Sequence, residues 1–495
     1  MKKTKGTSVR KDESTEESNS NAPPTRPTSF EFVSFGDASQ PRDPGARSKI
    51  RRHAMKDIGY RRRKPKKQRY LNISLDIPAD VETLQSLRAT SPQAAIGGGG
   101  VHTFFKFPVD LDDIGKALVA NMWRDIGDCL QTAHRRDWWP VGIADEATFY
   151  QILANSELHL EGTRNPHRLS KETPLSIHYH QIAISSVRKR LAANPDDVSD
   201  GLIGCISGFL VYPEIAGVFD RWLPQRKGIL EAIGTREGGL DSLEKHLRRS
   251  ISWVELRGSF TQDIPSIIPL PQYWIDVHRI ESADNASMPA CFSIDLQHAW
   301  QQHFPNDTAF LHIFTSLAEL NTRASLNKQG LRKEDFFYDG IVVSANVLTH
   351  ELFCLRPAED ASLGINSRRI LEACRLALLV FIAAVYKQYG AHPLKAVVHL
   401  GKLRELLSQS DVEWDGLEYV QMWVIAMGAM EAYDEGMREW FVGELVRVIK
   451  ERELDVDEVM RGVTSVLWVA ELFEQKGGML RGWIEQRQYI PFQAL

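Results

Sequence analysis

Apolar side chains recur every three or four residues along most of this chain, and this spacing constrains the fold more than any other feature. Over residues 110–134, for example, Ile114, Leu118, Met122 and Ile126 follow one another at intervals of four. Residues four apart lie on one face of an α-helix, so the pattern predicts an amphipathic helix whose apolar face is buried.

The same periodicity predicts helices throughout the carboxyl-terminal part of the sequence. They cover residues 174–193, 199–211, 216–233, 240–257, 307–328, 367–389, 394–409, 416–431, 435–452 and 455–475. Strand signals are scarce. Residues 340–345 and 70–77 are short runs that could form strands, although Val342 and Val343 fit a helix equally well. The sequence therefore predicts an all-α, multi-helix domain.

The size and composition of the chain are those of a folded protein without a membrane span. It has 495 residues, of which 43% are hydrophobic, enough to bury a substantial core. Its five cysteines are widely spaced and include no C-x-x-C pair, which favours a reducing compartment. The longest apolar run, residues 376–386, is shorter than the roughly 18 to 20 residues that a membrane span requires. We expect this run to be a buried helix, and we expect no membrane partner.

Charge is distributed unevenly along the chain. Residues 42–69 contain thirteen lysines and arginines but two aspartates, a net charge of +11. Residues 1–41 are neutral overall, and residues 70–495 carry a net charge of about −15. Any attraction to polyanions is therefore expected from this short basic segment and not from the molecule as a whole.

The basic segment contains two different patterns. Ile50, Ala54 and Ile58 recur every four residues while Arg51 and Arg52 occupy other faces, which predicts a short basic amphipathic helix. The run RRRKPKK follows, and repulsion among its cations favours an extended chain. The candidate residues for nuclear import or phosphate contact are Arg51, Arg52, Arg61, Arg62, Arg63, Lys64, Lys66 and Lys67.

Three interpretations of the run at residues 61–67 remain open. It has the composition of a nuclear localisation signal that binds an import receptor, and this is the leading interpretation. It could also be an arm that contacts DNA or RNA phosphates, which is compatible with the first role, or simply a solvated segment. Binding to a membrane surface or to calmodulin is disfavoured because the apolar face of the predicted helix is thin.

The sequence before residue 101 predicts little packed structure. Residues 1–29 are rich in polar residues and proline, so a disordered leader is expected over residues 1–41, with a short apolar docking segment at 30–35. Residues 86–100 contain serine, proline and four consecutive glycines, which indicates a flexible linker within residues 70–100. The predicted organisation is a leader at 1–41, a basic segment at 42–69, a linker at 70–100 and a helical domain at 101–495.

No sequence pattern predicts a reaction centre, a cofactor site or a metal site. His178 and His180 stand two residues apart, so on a helix they point to different faces, whereas paired metal ligands need a spacing of three or four. Residues 97–100 lack the strand and the G-K-[ST] sequence of a phosphate-binding loop. We therefore expect no catalytic activity, cofactor or metal, and a structural role for His180.

One part of the chain resembles a known family. Residues 220–270 contain the sequences RKGI at 226–229, REGGL at 236–240 and WVELR at 253–257. In this order, together with residues 179–211 and the basic piece at 30–67, they are similar to fungal transcription factors with a helical regulatory domain. The glycines at 238 and 239 are expected to allow a tight turn between two packed helices.

The resemblance implies a nuclear regulatory protein with an α-helical domain that binds other transcription proteins or small effectors. Many members of the family carry a six-cysteine zinc cluster that docks DNA, but the first cysteine here is Cys129, so the leader cannot form one. Base-specific DNA recognition is therefore not expected. Two alternatives stay open: a helical small-molecule enzyme or binder, and a ligand-free scaffold, each with the basic segment serving only as an address.

Overall fold

The structure is a computed structural model, and its helical body is all-α. It describes residues 107–122, 137–165, 172–283, 293–327, 340–388, 394, 396–409 and 412–489. These residues form seventeen α-helices and no β-strand, which confirms the predicted fold class. The predicted leader, basic segment, linker and strand at 70–77 all lie outside the described residues.

The seventeen helices are numbered here in chain order. The first nine are α1 (Asp113–Met122), α2 (Trp139–Gly142), α3 (Glu146–Arg164), α4 (Pro174–Ala193), α5 (Asp200–Ala216), α6 (Trp222–Thr235), α7 (Lys245–Gln262), α8 (Gln272–Ala283) and α9 (Ile294–His303). The others are α10 (Ala309–Asn327), α11 (Ile341–Cys354), α12 (Ile365–Gln388), α13 (Val397–Leu407), α14 (Glu418–Met430), α15 (Glu435–Glu451), α16 (Val456–Val466) and α17 (Ala470–Tyr489).

A first apolar core, within residues 118–268, is built around α3, α4 and α5. Each of these helices begins with a capped turn. The side chain of Asp145 accepts from the backbone N–H of Thr148, Thr173 and Ser176 form a capping box, and Ser199 caps α5. Such caps satisfy backbone donors that lack a partner in the first turn, and thereby fix where each helix starts.

A second apolar core, within residues 256–484, surrounds α12 and α14. Every residue of the apolar run 376–386 is buried, so the predicted buried helix is confirmed. Helix α14 is buried without a break from Val420 to Met430, and its Trp423 donates a 2.9 Å hydrogen bond from Nε1 to the carbonyl of Leu467. Fully buried helices of this kind have apolar residues on all faces.

Helix α7 belongs to both cores and links them. Leu247 and Val254 pack in the first core, whereas Leu256 and Phe260 pack in the second. The helix ends at Asp263, which has the left-handed φ of +50°. A single rigid element therefore connects the two cores and sets the position of the residue at its carboxyl end.

The turn between α6 and α7 has the predicted glycine geometry. Gly238 and Gly239 have φ values of +78° and +55°, a region that side chains other than glycine enter at a cost. Among the tryptophans, Trp138, Trp139, Trp222, Trp414 and Trp423 are buried, whereas Trp253, Trp440 and Trp468 are partly buried and pack against a core.

Two runs fold differently from the simplest interpretation of their sequences: residues 340–345, which could have been a strand, and residues 455–475, which were predicted as one helix. Residues 340–345 are not a strand, because α11 begins at Ile341 and is buried on almost every side, which hides its helical period. Residues 455–475, predicted as one helix, form α16 and α17. The break at residues 467–469 buries Leu467 and Val469, and no proline or glycine marks it in the sequence.

Helix boundaries near residues 211–216 also differ from the prediction. Helix α5 continues through Pro213 to Ala216, past the predicted end at residue 211. Proline costs a helix one backbone hydrogen bond, but here it stands close to the end. The carbonyl of Pro213 accepts from both Gly217 and Val218, and Gly217 takes the left-handed conformation that closes the helix. The next helix, α6, consequently starts at Trp222 and not at residue 216.

Four helices were not predicted: α2, α3, α8 and α9. Helix α3 buries polar side chains, including Gln151, Asn155 and Ser156, as well as apolar ones. Its buried face therefore does not show as a regular recurrence of apolar residues in the sequence. Helix α1 starts three residues after the predicted segment 110–134 does, and residues 123–136 lie outside the described part of the chain.

Candidate functional site

The basic residues predicted to act in import or phosphate contact fall outside the described structure. Arg51, Arg52, Arg61, Arg62, Arg63, Lys64, Lys66 and Lys67 all lie within residues 1–106, so their roles stay predictions. Within the described body, three arrangements of side chains have the chemistry of a site: a buried charge cluster, a small pocket and a group of two histidines with a glutamate.

The buried charge cluster is centred on Asp263, at the carboxyl end of α7. Arg375 of α12 donates two hydrogen bonds to its two carboxylate oxygens, at 2.8 and 3.0 Å. Lys402 of α13 donates a third at 2.5 Å, and Arg356 lies 3.4 Å away. The carboxylate of Asp263 is fully buried and the side chain of Arg375 is 1% exposed. Each charge is therefore stabilised by the opposite charge and not by water.

Two further groups complete the cluster. Glu372, one turn before Arg375, accepts hydrogen bonds from the same guanidinium at 2.6 and 2.9 Å. The buried ring of His399 lies 3.8 Å from Asp263 and packs against Phe260. The cluster thus ties the end of α7 to α12 and α13, and two carboxylates face three cations around an imidazole.

The electrostatics of the cluster keep its protons fixed at neutral pH. Burial opposes ionisation of Asp263, but hydrogen bonds from Arg375 and its charge outweigh burial and lower the pKa of Asp263 well below its ordinary value. Burial lowers the pKa of His399 to about 3, although the charge of Asp263 opposes the change. A general acid or base works best with a pKa near the operating pH, so these shifts suit a structural role.

The small pocket lies between α7, α11 and α12. It has a cavity volume of about 10 Å³ and is lined by Trp253, Leu256, Arg257, Asn346, Thr349, Tyr386 and Leu394. This volume has room for about one water molecule and is far below that of a small-molecule site.

The polar groups of the pocket are already engaged with protein partners. Tyr386 donates a 2.5 Å hydrogen bond to Oδ1 of Asn346, and Thr349 donates to the carbonyl of Ala345 at 2.7 Å. Arg257 forms an ion pair with Glu214 and stacks over the ring of Trp253. A ligand here would have to be very small or would have to displace these contacts.

The histidines that drew attention in the sequence do not converge. His178 is exposed, whereas His180 turns inward, lies 2.7 Å through Nδ1 from Oε1 of Gln151 and stacks on Tyr212 at a centroid distance of 3.9 Å. Burial lowers the pKa of His180 to about 3, so it is neutral at physiological pH. These contacts give His180 the structural role expected from its position.

Sequence reasoning missed a third arrangement, formed by His278, His312 and Glu351. These residues come from α8, α10 and α11, and their nitrogen and oxygen ligand atoms all lie within 4.8 Å of one another. No short motif joins positions separated by tens of residues in the chain. The search for histidines at helical spacing could not find the group, because the fold brings together one residue from each helix.

Comparisons with known proteins do not add a family. No family model, no curated protein and no solved structure matches the chain. The helices of the described residues include none that is both long and apolar enough to cross a bilayer. The structure therefore defines the class of the protein as an all-α helical body.

Proposed function

We propose that this chain is a nuclear, transcription-regulator-like protein of fungal type, in which the helical body binds partners and the basic segment directs import. The proposal also gives the basic segment a second role, contact with nucleic-acid phosphates without base recognition. The observation that carries it is the charge division, with a net +11 over residues 42–69 against about −15 over residues 70–495. A dense cationic run suits the acidic groove of an import receptor or a phosphate backbone.

The packing of the segment that resembles the fungal regulatory domain supports the proposal. Arg226, in the first similar sequence, pairs with Glu255, in the third, through Nε at 2.9 Å. The carboxylate of Glu255 is fully buried and also accepts from the backbone N–H of Ile267 at 3.1 Å. Arg257 pairs with Glu214 of α5. Three residues from the similar sequences thus join α7 to α6, to α5 and to the following loop.

The chemistry of the body also fits a binding protein better than an enzyme. In the buried charge cluster the pKa values of Asp263 and His399 are both lowered, further from neutral pH. In the small pocket Tyr386 hydrogen bonds to Asn346. A rigid helical body is suited to presenting preformed surfaces to partners.

Import can be tested by removing positive charge from the basic segment. We expect the full-length protein to accumulate in the nucleus and to lose that accumulation when six cations are replaced by alanine, namely Arg61, Arg62, Arg63, Lys64, Lys66 and Lys67. The matched control replaces the six cations of residues 1–41, namely Lys2, Lys3, Lys5, Arg10, Lys11 and Arg26.

The readout is the nuclear-to-cytoplasmic ratio of a tagged protein in fungal cells, together with its chromatin occupancy. The control variant should keep the ratio of the parent protein, because its substitutions leave the dense run intact. Persistent nuclear accumulation of the first variant, or equal loss in both, would contradict the assignment of import to residues 61–67.

A further inference from the structure

His278, His312 and Glu351 converge at one point on the surface of the body. The distance from Nε2 of His312 to Oε2 of Glu351 is 4.0 Å, and the rings of His278 and His312 are 6.3 Å apart at an angle of 70°. His278 is buried, while the side chains of His312 and Glu351 are 52% and 38% exposed. The group therefore has a fixed inner member and two outer members that reach solvent.

The geometry points to a binding site for a divalent transition-metal ion of the zinc type, held by His278, His312 and Glu351. Two imidazoles and one carboxylate are a ligand set that zinc accepts, leaving a fourth position for water or another group. Imidazole nitrogen disfavours magnesium and calcium, which prefer oxygen ligands.

The separations observed are close to those that a bound ion needs. Zinc bonds of about 2.0–2.2 Å in tetrahedral geometry place ligand atoms roughly 3.3–3.6 Å apart. The ligand atoms here lie within 4.8 Å of one another, so closure requires movements of about 1 Å. His312 and Glu351 are the half-exposed members, and rotation of their side chains can supply this movement without disturbing a core.

The surroundings of His312 orient it as a metal ligand. Nδ1 of His312 lies 3.5 Å from Oγ of the buried Ser316, one turn further along α10, and Nε2 faces Glu351. Metal-binding histidines commonly use one ring nitrogen for the ion and the other for a polar neighbour, which fixes the orientation of the ring. Ser316 can supply that neighbour.

Because the three ligands come from α8, α10 and α11, bound metal would also fasten these helices together.

The test uses full-length protein treated with a chelator and then titrated with Zn²⁺ and, separately, with Co²⁺. We expect one equivalent of Zn²⁺ by calorimetry and a visible Co²⁺ absorption band typical of low coordination number. His312→Gln and Glu351→Gln should each weaken Zn²⁺ binding on the order of a hundredfold or more, since losing even an outer-shell partner costs 10–100-fold. The matched control is His298→Gln, an exposed histidine of α9.

Both ligand variants alter half-exposed side chains, and circular dichroism of the metal-free proteins checks that they fold. Zn²⁺ should also raise the melting temperature of the parent protein and of His298→Gln, but not of the ligand variants. Binding that is absent from the parent, or that the two ligand substitutions leave unchanged, would overturn the site.

Discussion

At the scale of single residues, Asp263 is the centre of the buried charge cluster. Its buried carboxylate accepts from Arg375 and Lys402, whose helices it joins to α7. Asparagine is similar in size and tolerates the left-handed φ of +50°, so Asp263→Asn removes the charge with little change of shape. We expect it to lower the free energy of unfolding at pH 7 by about 3 kcal/mol, because the buried Arg375 loses one of its two carboxylate partners and retains only Glu372.

The pH dependence of this loss has a defined sign. The pKa of Asp263 is lowered in the folded protein, so its stabilising effect is fully present above the unfolded pKa of about 3.9 and is lost as the pH falls through the folded value. Urea unfolding should therefore give a gap between parent and variant that narrows as the pH falls below about 4. Asp241→Asn is the control, since its pair with Arg248 is exposed and should contribute about 0.2–1 kcal/mol at most. An equal loss in both variants would contradict the role of Asp263.

The sequence could not predict this cluster, although it contains each of its residues. Arg375 directly precedes the apolar run at residues 376–386. A charged residue in that position would be expected to lie at the solvent-exposed end of a buried helix. In the structure it is one of the largest fully buried side chains, because Asp263 reaches it from 112 positions away. His278, His312 and Glu351 were missed for the same reason. Local spacing reports which residues share a helix face, but not which faces meet.

At the scale of the helices, close approach between α6 and α7 depends on one glycine. A Cβ atom at Gly258 would overlap the ring of Trp222, which is fully buried, whereas a Cβ atom at Gly401 in α13 would meet nothing within 4 Å. We expect Gly258→Ala to destabilise the protein by about 1–3 kcal/mol or more through overpacking. Gly401→Ala should stabilise it by about 0.5–1 kcal/mol, because alanine loses less backbone entropy in a helix.

Chemical denaturation of the two variants beside the parent protein measures both effects. The comparison separates packing from helix propensity, since the same substitution is made in two helices. If Gly258→Ala proved as stable as Gly401→Ala, the ring of Trp222 would have room to move, and the tight α6–α7 contact would be refuted.

Helix positions were predictable wherever one face is apolar and the opposite face is polar. Helices α4 and α15 fit that description and were found within one residue of their observed bounds, whereas α7, predicted at 240–257, lies at 245–262. The sequence was less informative where a short apolar run fits a strand as well as a helix, as in α11, or where polar residues such as Gln151 are buried, as in α3. It was also silent at residues 467–469, where tertiary packing ends a helix without a breaker residue.

At the scale of the whole molecule, the division of charge predicts how binding to nucleic acid should respond to salt. Each phosphate that a cation neutralises contributes about −0.9 to the slope of log affinity against log salt. Thirteen cations in residues 42–69 therefore allow a steep slope for the full-length protein on random-sequence duplexes, with no preference between sequences.

A protein lacking residues 1–69 carries a net charge of about −15 and should not bind measurably, since its net charge repels DNA. A protein lacking only residues 1–41 is the matched control and should bind like the parent, because that segment is neutral overall. Fluorescence anisotropy at several salt concentrations measures all three, and equal affinity of the parent and the shortest protein would place nucleic-acid contact in the helical body instead.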